Sequence, residues 1–153
     1  DLPPAPSGVP IPPEELSATA STQQDVGGAA ALAVDGDIRT MWHSQYDPVG
    51  PPQPHDITID MQKVRTLSAV RYQPRISGHS NGNLRRVLVQ VSEDGETFRN
   101  VARVEWDRTT FPKNIDLRGP NSAGTRARFL RFHVELGIGG FSTAAEITPY
   151  ERR

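Results

Sequence analysis

The chain has 153 residues, 35% of them apolar, with 14 prolines, 13 glycines and no cysteine; this suits one domain with a real core, built from strands and turns rather than helices. Its 17 basic and 18 acidic residues leave a formal net charge of −1, which gives nucleic acid and anionic membrane no global attraction. Without cysteine there is no disulfide framework, thiol nucleophile or cysteine–zinc site, and no apolar run reaches the ~18 residues of a membrane-spanning helix.

Residues 1–14 carry Pro3, Pro4, Pro6, Pro10, Pro12 and Pro13. That density removes backbone donors and favours extended polyproline II, so the segment is expected to be a semi-rigid linker. The domain proper is expected over 15–153. A linker implies something on its far side, so the chain reads as a module cut from a larger protein. Residues 16–21 alternate weakly, as an edge strand would, and 29–33 suggest a single helical turn.

The stretch 35–46 then gathers Asp35, Asp37, Thr40, Trp42, His43 and Tyr46. Asp35-Gly36 is a turn dipeptide, because glycine takes positive φ freely and aspartate bonds its own backbone. The two acids and Thr40 offer hard oxygens, half a shell for Ca²⁺. Trp42 and Tyr46 combine apolar faces with polar tips around an imidazole that can donate and accept. Such a set suits a sugar ring, which has an apolar C–H face and a rim of hydroxyls.

Beyond it, Ile57, Ile59 and Met61 share one strand face, and Val70 and Tyr72 another over 67–73. Val87, Val89 and Val91 precede a hairpin-like turn at 92–95 that feeds a strand over 98–106. Leu130, Phe132 and Val134 line a further strand, with Arg131 and His133 on its other face, and 144–150 closes the chain. Seven or eight short strands with no convincing helix argue an all-β sandwich.

In order, the motifs are Asp35-Gly-Asp-x-x-Thr-x-Trp-His43, Pro54-His55-Asp56-Ile57-Thr58-Ile59-Asp60, Tyr72-x-Pro-Arg75, Asn81-Gly82, Val89-x-Val-Ser-Glu-Asp-Gly95-x-x-Phe98, Ala127-Arg-Phe-Leu-Arg131 and Ala144-Ala-Glu146-Ile147. The series resembles the coagulation factor 5/8 type C (discoidin) family, and within it the family 32 carbohydrate-binding modules attached to sialidases and galactose oxidase. The similarity runs from about residue 16 to residue 150. It implies an eight-stranded antiparallel jelly-roll β-sandwich with a structural Ca²⁺ below a shallow loop-end pocket for galactose or galactosamine-type sugars.

Carried over residue by residue, the resemblance puts His43 against a sugar hydroxyl and Arg75 across two hydroxyls. Asn81 takes an amide role, with Asn83 close enough to compete for it. Phe141 stands where relatives carry a stacking aromatic, Tyr46 is a second candidate, and Trp42 belongs to the core. For Ca²⁺ it points to Asp35, Asp37, Thr40 and Glu146, with carbonyls near Ala33 and Ala145.

The resulting expectation is a non-catalytic, secreted, extracellular sugar-binding module, covalently linked to a glycan-active catalytic domain, with no nucleic-acid partner and no membrane insertion. Among rival readings, an enzyme lacks any Gly-x-Ser-x-Gly, His-Glu-x-x-His or phosphate-loop motif. A discoidin-type domain that binds phospholipid or protein instead is the alternative on the same fold.

Overall fold

The computed structural model describes residues 2–153, and its strands pair antiparallel throughout. In chain order they are β1 (Val9–Pro10), β2 (Ser17–Ala20), β3 (Trp42–His43), β4 (His55–Gln73), β5 (Leu84–Ser92), β6 (Arg99–Glu105), β7 (Lys113–Asp116), β8 (Thr125–Gly137), β9 (Thr143–Ala144) and β10 (Glu146–Glu151). Only short 3₁₀ turns interrupt them, one of them the expected turn at Ala30–Ala33.

β4 makes the sandwich. Its first half alternates buried and half-buried residues up to Met61, as the period-two pattern requires. It pairs there with β2 on one side and β8 on the other. The ladder then breaks between Asp60 and Arg65, where Gln62 takes φ +71° and Asp60 accepts the Gln62 N–H at 2.8 Å. Past this corner β8 stays paired through Leu67, and the strand then runs between β10 and β7. One layer therefore reads β2–β4–β8–β5–β6 and the other β7–β4–β10–β1. With the halves of β4 counted separately beside β2, β5, β6, β7, β8 and β10, the expected eight strands are present.

The core is the set of inward residues that this register stacks. Ile57 faces Phe132, which faces Val89, and Ile59 faces Leu130, which faces Val91. From the other layer come Leu67, Val70, Tyr72, Ile115 and Ile147, all buried. Tyr72 stacks on Trp106 with ring centroids 5.1 Å apart. Trp42 is fully buried, as expected, and its indole N–H donates to the Thr22 carbonyl at 2.9 Å.

Two features differ from the sequence reading. β7 holds one buried residue, Ile115, so it carries no period to read. The Pro-rich segment, expected as a linker through residue 14, lies against the sandwich. Val9 and Pro10 pair with Glu151 and Tyr150, and Ile11 is buried. The physical reason is that proline loses its donor but keeps its carbonyl. The Pro3 and Pro4 carbonyls accept from Arg71, and the Ser7 carbonyl accepts from Ser68 at 2.7 Å.

Replacing Trp42 with alanine should destabilise the domain by about 3–5 kcal/mol in urea denaturation, the range for emptying a large buried site. Arg65→Met, which removes a buried guanidinium bonded to Glu15 and Glu151, should cost about 2 kcal/mol, because both carboxylates it strands are partly exposed.

Candidate functional site

At the loop end of the sandwich, β3 and β9 form a two-rung ladder, Trp42 opposite Ala144 and His43 opposite Thr143. Alternation along β3 sends Trp42 into the core and leaves His43 half-buried beside it. Pro74 ends the β4 ladder and Arg75 follows. The Arg75 N–H donates to Asn83 Oδ1 at 3.0 Å and its Nη1 to the Asn81 carbonyl at 3.2 Å. Gly82, at φ +89°, lies so close to Thr143 that a Cβ would come within 2.3 Å of its methyl. Backbone bonds from Gly82 to Ile138 and from Thr143 to Gly82, both 2.8 Å, weld this loop to the turn that presents Phe141.

The outcome is a cavity of about 300 Å³ lined by His43, Tyr46, Arg75, His79, Asn81 and Phe141. All five ligand-contact residues expected from the sequence meet there. Tyr46 and Phe141 flank the imidazole of His43, at 4.7 and 5.7 Å between centroids. Asn83 does not join them. It is buried behind the cavity wall, where its oxygen holds the Arg75 backbone. His79 is the residue the sequence reading passed over, since its place at the lip depends on how loop 76–82 folds back.

No carboxylate lines this cavity, and Arg75 has no acidic partner among the described residues. Its Nε is buried without a hydrogen bond, and burial lowers its pKa. Burial, reinforced by the charge of Arg75, also holds the His43 pKa below the usual 6.5, although the bond to Ser44 opposes this. The neutral imidazole must donate from Nδ1 to the Ser44 carbonyl, 2.7 Å away, which leaves Nε2 as a bare acceptor. The remaining histidines have other work: His55 is buried and bonded to Ser142 and Pro51, and His133 pairs with Asp56 at 2.6 Å.

A second cluster lies on turn 35–40 and the start of β10. Asp35 accepts the Asp37 N–H at 2.9 Å and the Thr40 hydroxyl at 2.5 Å, while Glu146 accepts the Gly36 N–H at 3.1 Å. Burial first, then the charges of Asp35 and Asp37, push the Glu146 carboxyl up to about 8. Its Oε1 is buried with no partner. Asp37 sits differently from the expectation: both its carboxylate oxygens bond Arg39, at 2.9 and 3.1 Å. Among the described residues no three acidic or imidazole side chains converge as a cluster. The donors gathered there are the Asp35 carboxylate, the lone Glu146 Oε1, the Thr40 hydroxyl and the Asp37 carbonyl. A hard divalent cation fits that donor set, with Asp37 joining through its carbonyl, which already lies 3.0 Å from Thr40 Oγ1.

Comparison with known proteins gives a concordant picture. The F5/8 type C domain family matches residues 17–147. Galactose oxidase of Gibberella zeae is 34% identical over 153 residues, covering 96% of this chain and 21% of that protein. The A type blood N-acetyl-α-D-galactosamine deacetylase of Flavonifractor plautii is 29% identical over 143 residues, 92% of this chain and 18% of that protein. The chain thus spans about a fifth of the length of these relatives. Among solved structures, CpGH89CBM32-5 of Clostridium perfringens, in complex with GalNAc-β-1,3-galactose, superimposes with a TM-score of 0.84 at 33% identity, covering 92% of this chain and 99% of that one. The family 32 carbohydrate-binding module of Clostridium perfringens NanJ, in complex with galactose, gives 0.85 at 27% identity, covering 95% and 100%. Both are modules matched almost end to end, and this chain is a module of that kind rather than a catalytic domain.

The raised Glu146 carboxyl makes a prediction for metal-stripped protein. Between about 4.5 and about 8 the folded state holds a proton that the unfolded chain releases, so stability is full below this window and falls as pH rises through it. In excess chelator the melting temperature should therefore drop from pH 5 to pH 8, and Glu146→Gln should flatten that slope. A slope unchanged in the variant would remove Glu146 as its cause.

Proposed function

The chain belongs to the F5/8 type C domain family, and on that footing we propose that it is a non-catalytic carbohydrate-binding module whose loop-end cavity holds a galactose-type terminal sugar. The observation that carries the reading is Arg75: a half-buried guanidinium with no acidic partner among the described residues, facing a cavity whose inner wall holds the His43 imidazole, the Asn81 amide and the Phe141 ring, with Tyr46 and His79 at its lip. A hexose edge offers what those groups lack. Its hydroxyls accept from the guanidinium fork and exchange bonds with Asn81, while one hydroxyl donates to His43 Nε2. Its C–H face lies against Phe141, with Tyr46 at the flank.

Such a site is weak. A few polar contacts and one stacked ring, partly exposed, correspond to a Kd of roughly 0.1 to 1 mM, or about −4 to −5.5 kcal/mol. Weak binding suffices for a module whose purpose is to raise the local concentration of a linked catalytic domain near glycans. The parent enzyme would then work outside the cell, where such glycans are displayed. No helix among the described residues is long and apolar enough to cross a membrane.

Ca²⁺ is the cation proposed for the second cluster. Asp35, Glu146 and Thr40 would hold it, with Asp37 and the buried segments around Ala33 and Ala145 supplying carbonyls. When bound, it neutralises the acids and satisfies the lone Glu146 oxygen. β10 and turn 35–40 would then be clamped together, and through β9 the wall that carries Phe141. A ligand bound only to the folded state stabilises it by mass action, so chelation should lower the melting temperature at pH 7.5 and added Ca²⁺ should restore it. Identical melting curves after verified metal removal would sink the site.

Titration calorimetry with galactose, N-acetylgalactosamine, glucose and mannose tests the pocket. Galactose-type sugars should bind, and His43→Ala, Arg75→Ala, Asn81→Ala and Phe141→Ala should each weaken them by about 1–3 kcal/mol. On a site this weak that reads as loss of detectable binding. Arg75→Lys should fail nearly as badly, since a point charge cannot replace a planar fork. Melting temperatures should barely move. If His43→Ala and Arg75→Ala both bind like wild type, the sugar site lies elsewhere; binding to phosphatidylserine vesicles with no sugar binding would instead favour the lipid-binding alternative.

A further inference from the structure

The two imidazoles of the cavity carry opposite chemical characters. The main-chain N–H of Asn81 points at His79 Nδ1, 3.2 Å away. An amide N–H can only donate, so Nδ1 is the bare nitrogen of His79 and its hydrogen sits on Nε2. His43 is the reverse: Nδ1 carries the hydrogen and Nε2 the lone pair. The cavity therefore accepts at His43 and donates at His79.

Burial separates the two as well. His43, Arg75, Asn81 and Phe141 are half-buried, whereas His79 and Tyr46 are exposed at the lip. A single terminal ring seated on the half-buried groups satisfies the inner set. Among the described residues nothing accepts from the Nε2–H of His79, and the residue lines the cavity at its exposed edge. A further sugar in that space offers acceptor-only oxygens, in its ring, its glycosidic link or an N-acetyl carbonyl.

We propose that His79 is a specificity-determining residue, donating from Nε2–H to an acceptor oxygen of the sugar next to the terminal one, so that the module reads a disaccharide. The inference rests on the sugar-binding reading above and extends that site by one unit. Tyr46, 48% exposed on the same lip, provides the apolar flank for the second ring.

The test separates contact from loop support, because His79 also accepts the Asn81 N–H. In His79→Asn the shorter amide oxygen can still accept that N–H, as asparagine does two residues ahead in an Asx turn. Its remaining NH₂ then stands where the imidazole Cδ2 stood, short of the position of Nε2, so the outward donor is withdrawn from the second sugar. Wild type and His79→Asn are titrated with methyl β-galactoside, methyl N-acetylgalactosaminide and a panel of disaccharides ending in either sugar, GalNAc-β-1,3-galactose among them.

In wild type at least one disaccharide should bind about fivefold more tightly than its methyl glycoside, the worth of one added hydrogen bond. His79→Asn should erase that gain and leave the methyl glycoside unchanged. Equal losses for both ligands would assign His79 to loop support and overturn the proposal, as would a variant that keeps the disaccharide gain or a wild type that shows none. Wild-type protein that binds no member of the panel overturns the sugar reading together with this inference. Intact monosaccharide binding with no effect of His79→Asn overturns this inference alone.

Discussion

The architecture turns on Arg65. Its side chain is 5% exposed, and its donors reach three separate parts of the chain: the Met61 carbonyl at 3.0 Å, Glu151 at 3.0 Å and Glu15 at 2.8 Å. A buried cation is tolerated only when its hydrogen bonds and countercharges are close to complete. That requirement pins the corner at which β4 leaves one layer and enters the other. It also ties both ends of the domain to that corner, since Glu15 follows the Pro-rich segment and Glu151 ends β10. If the corner slipped by one residue, alternation would turn Ile57, Ile59 and Met61 outward and the first half of β4 would lose its apolar face to solvent.

The loop end inherits its order from that frame. β4 delivers Arg75 at one side and β8 delivers the turn before Phe141 at the other. The two meet across Gly82 and Thr143, where only a glycine fits. The short β3–β9 ladder then serves two sites at once. Its His43 and the Phe141 just before β9 face the cavity, while β10 begins a residue after β9 with Glu146 in the acid cluster. The acid cluster and the cavity wall are therefore joined by a few residues of backbone. Gln53 and His55 add to the link by holding the Phe141 carbonyl and the Ser142 hydroxyl from the far side.

Much of this was legible in the sequence because it is local or periodic. The alternation of Ile57, Ile59 and Met61 or of Val87, Val89 and Val91 names strands without reference to the rest of the chain. Asp35-Gly36 marks its own turn, and the order of the motifs named the family and, through it, the pocket residues. The weaker segments were not legible for the same reason. β7 has one apolar residue, and the Pro-rich segment declares only that its nitrogens cannot donate; where its carbonyls land depends on Arg71 and Ser68, some 60 residues away in the chain.

By itself, then, the sequence determined an all-β sandwich, a core centred on Trp42 and the alternating strands, and five residues for a sugar-sized pocket. The first two are properties of side-chain type and spacing, which the chain carries whether folded or not; the five pocket residues came through the family that the order of the motifs resembles. Only the tertiary structure decided that 57–61 and 67–73 are one strand bent between two layers, that the Pro-rich segment lies on the sheet, and that Asn83 supports the wall while Asn81 faces the cavity. It also turned Asp37 toward Arg39 and gave His43 and His79 opposite tautomers. Each of these depends on which partner lies within hydrogen-bond reach, and that is fixed by distant backbone meeting in space rather than by neighbours along the chain.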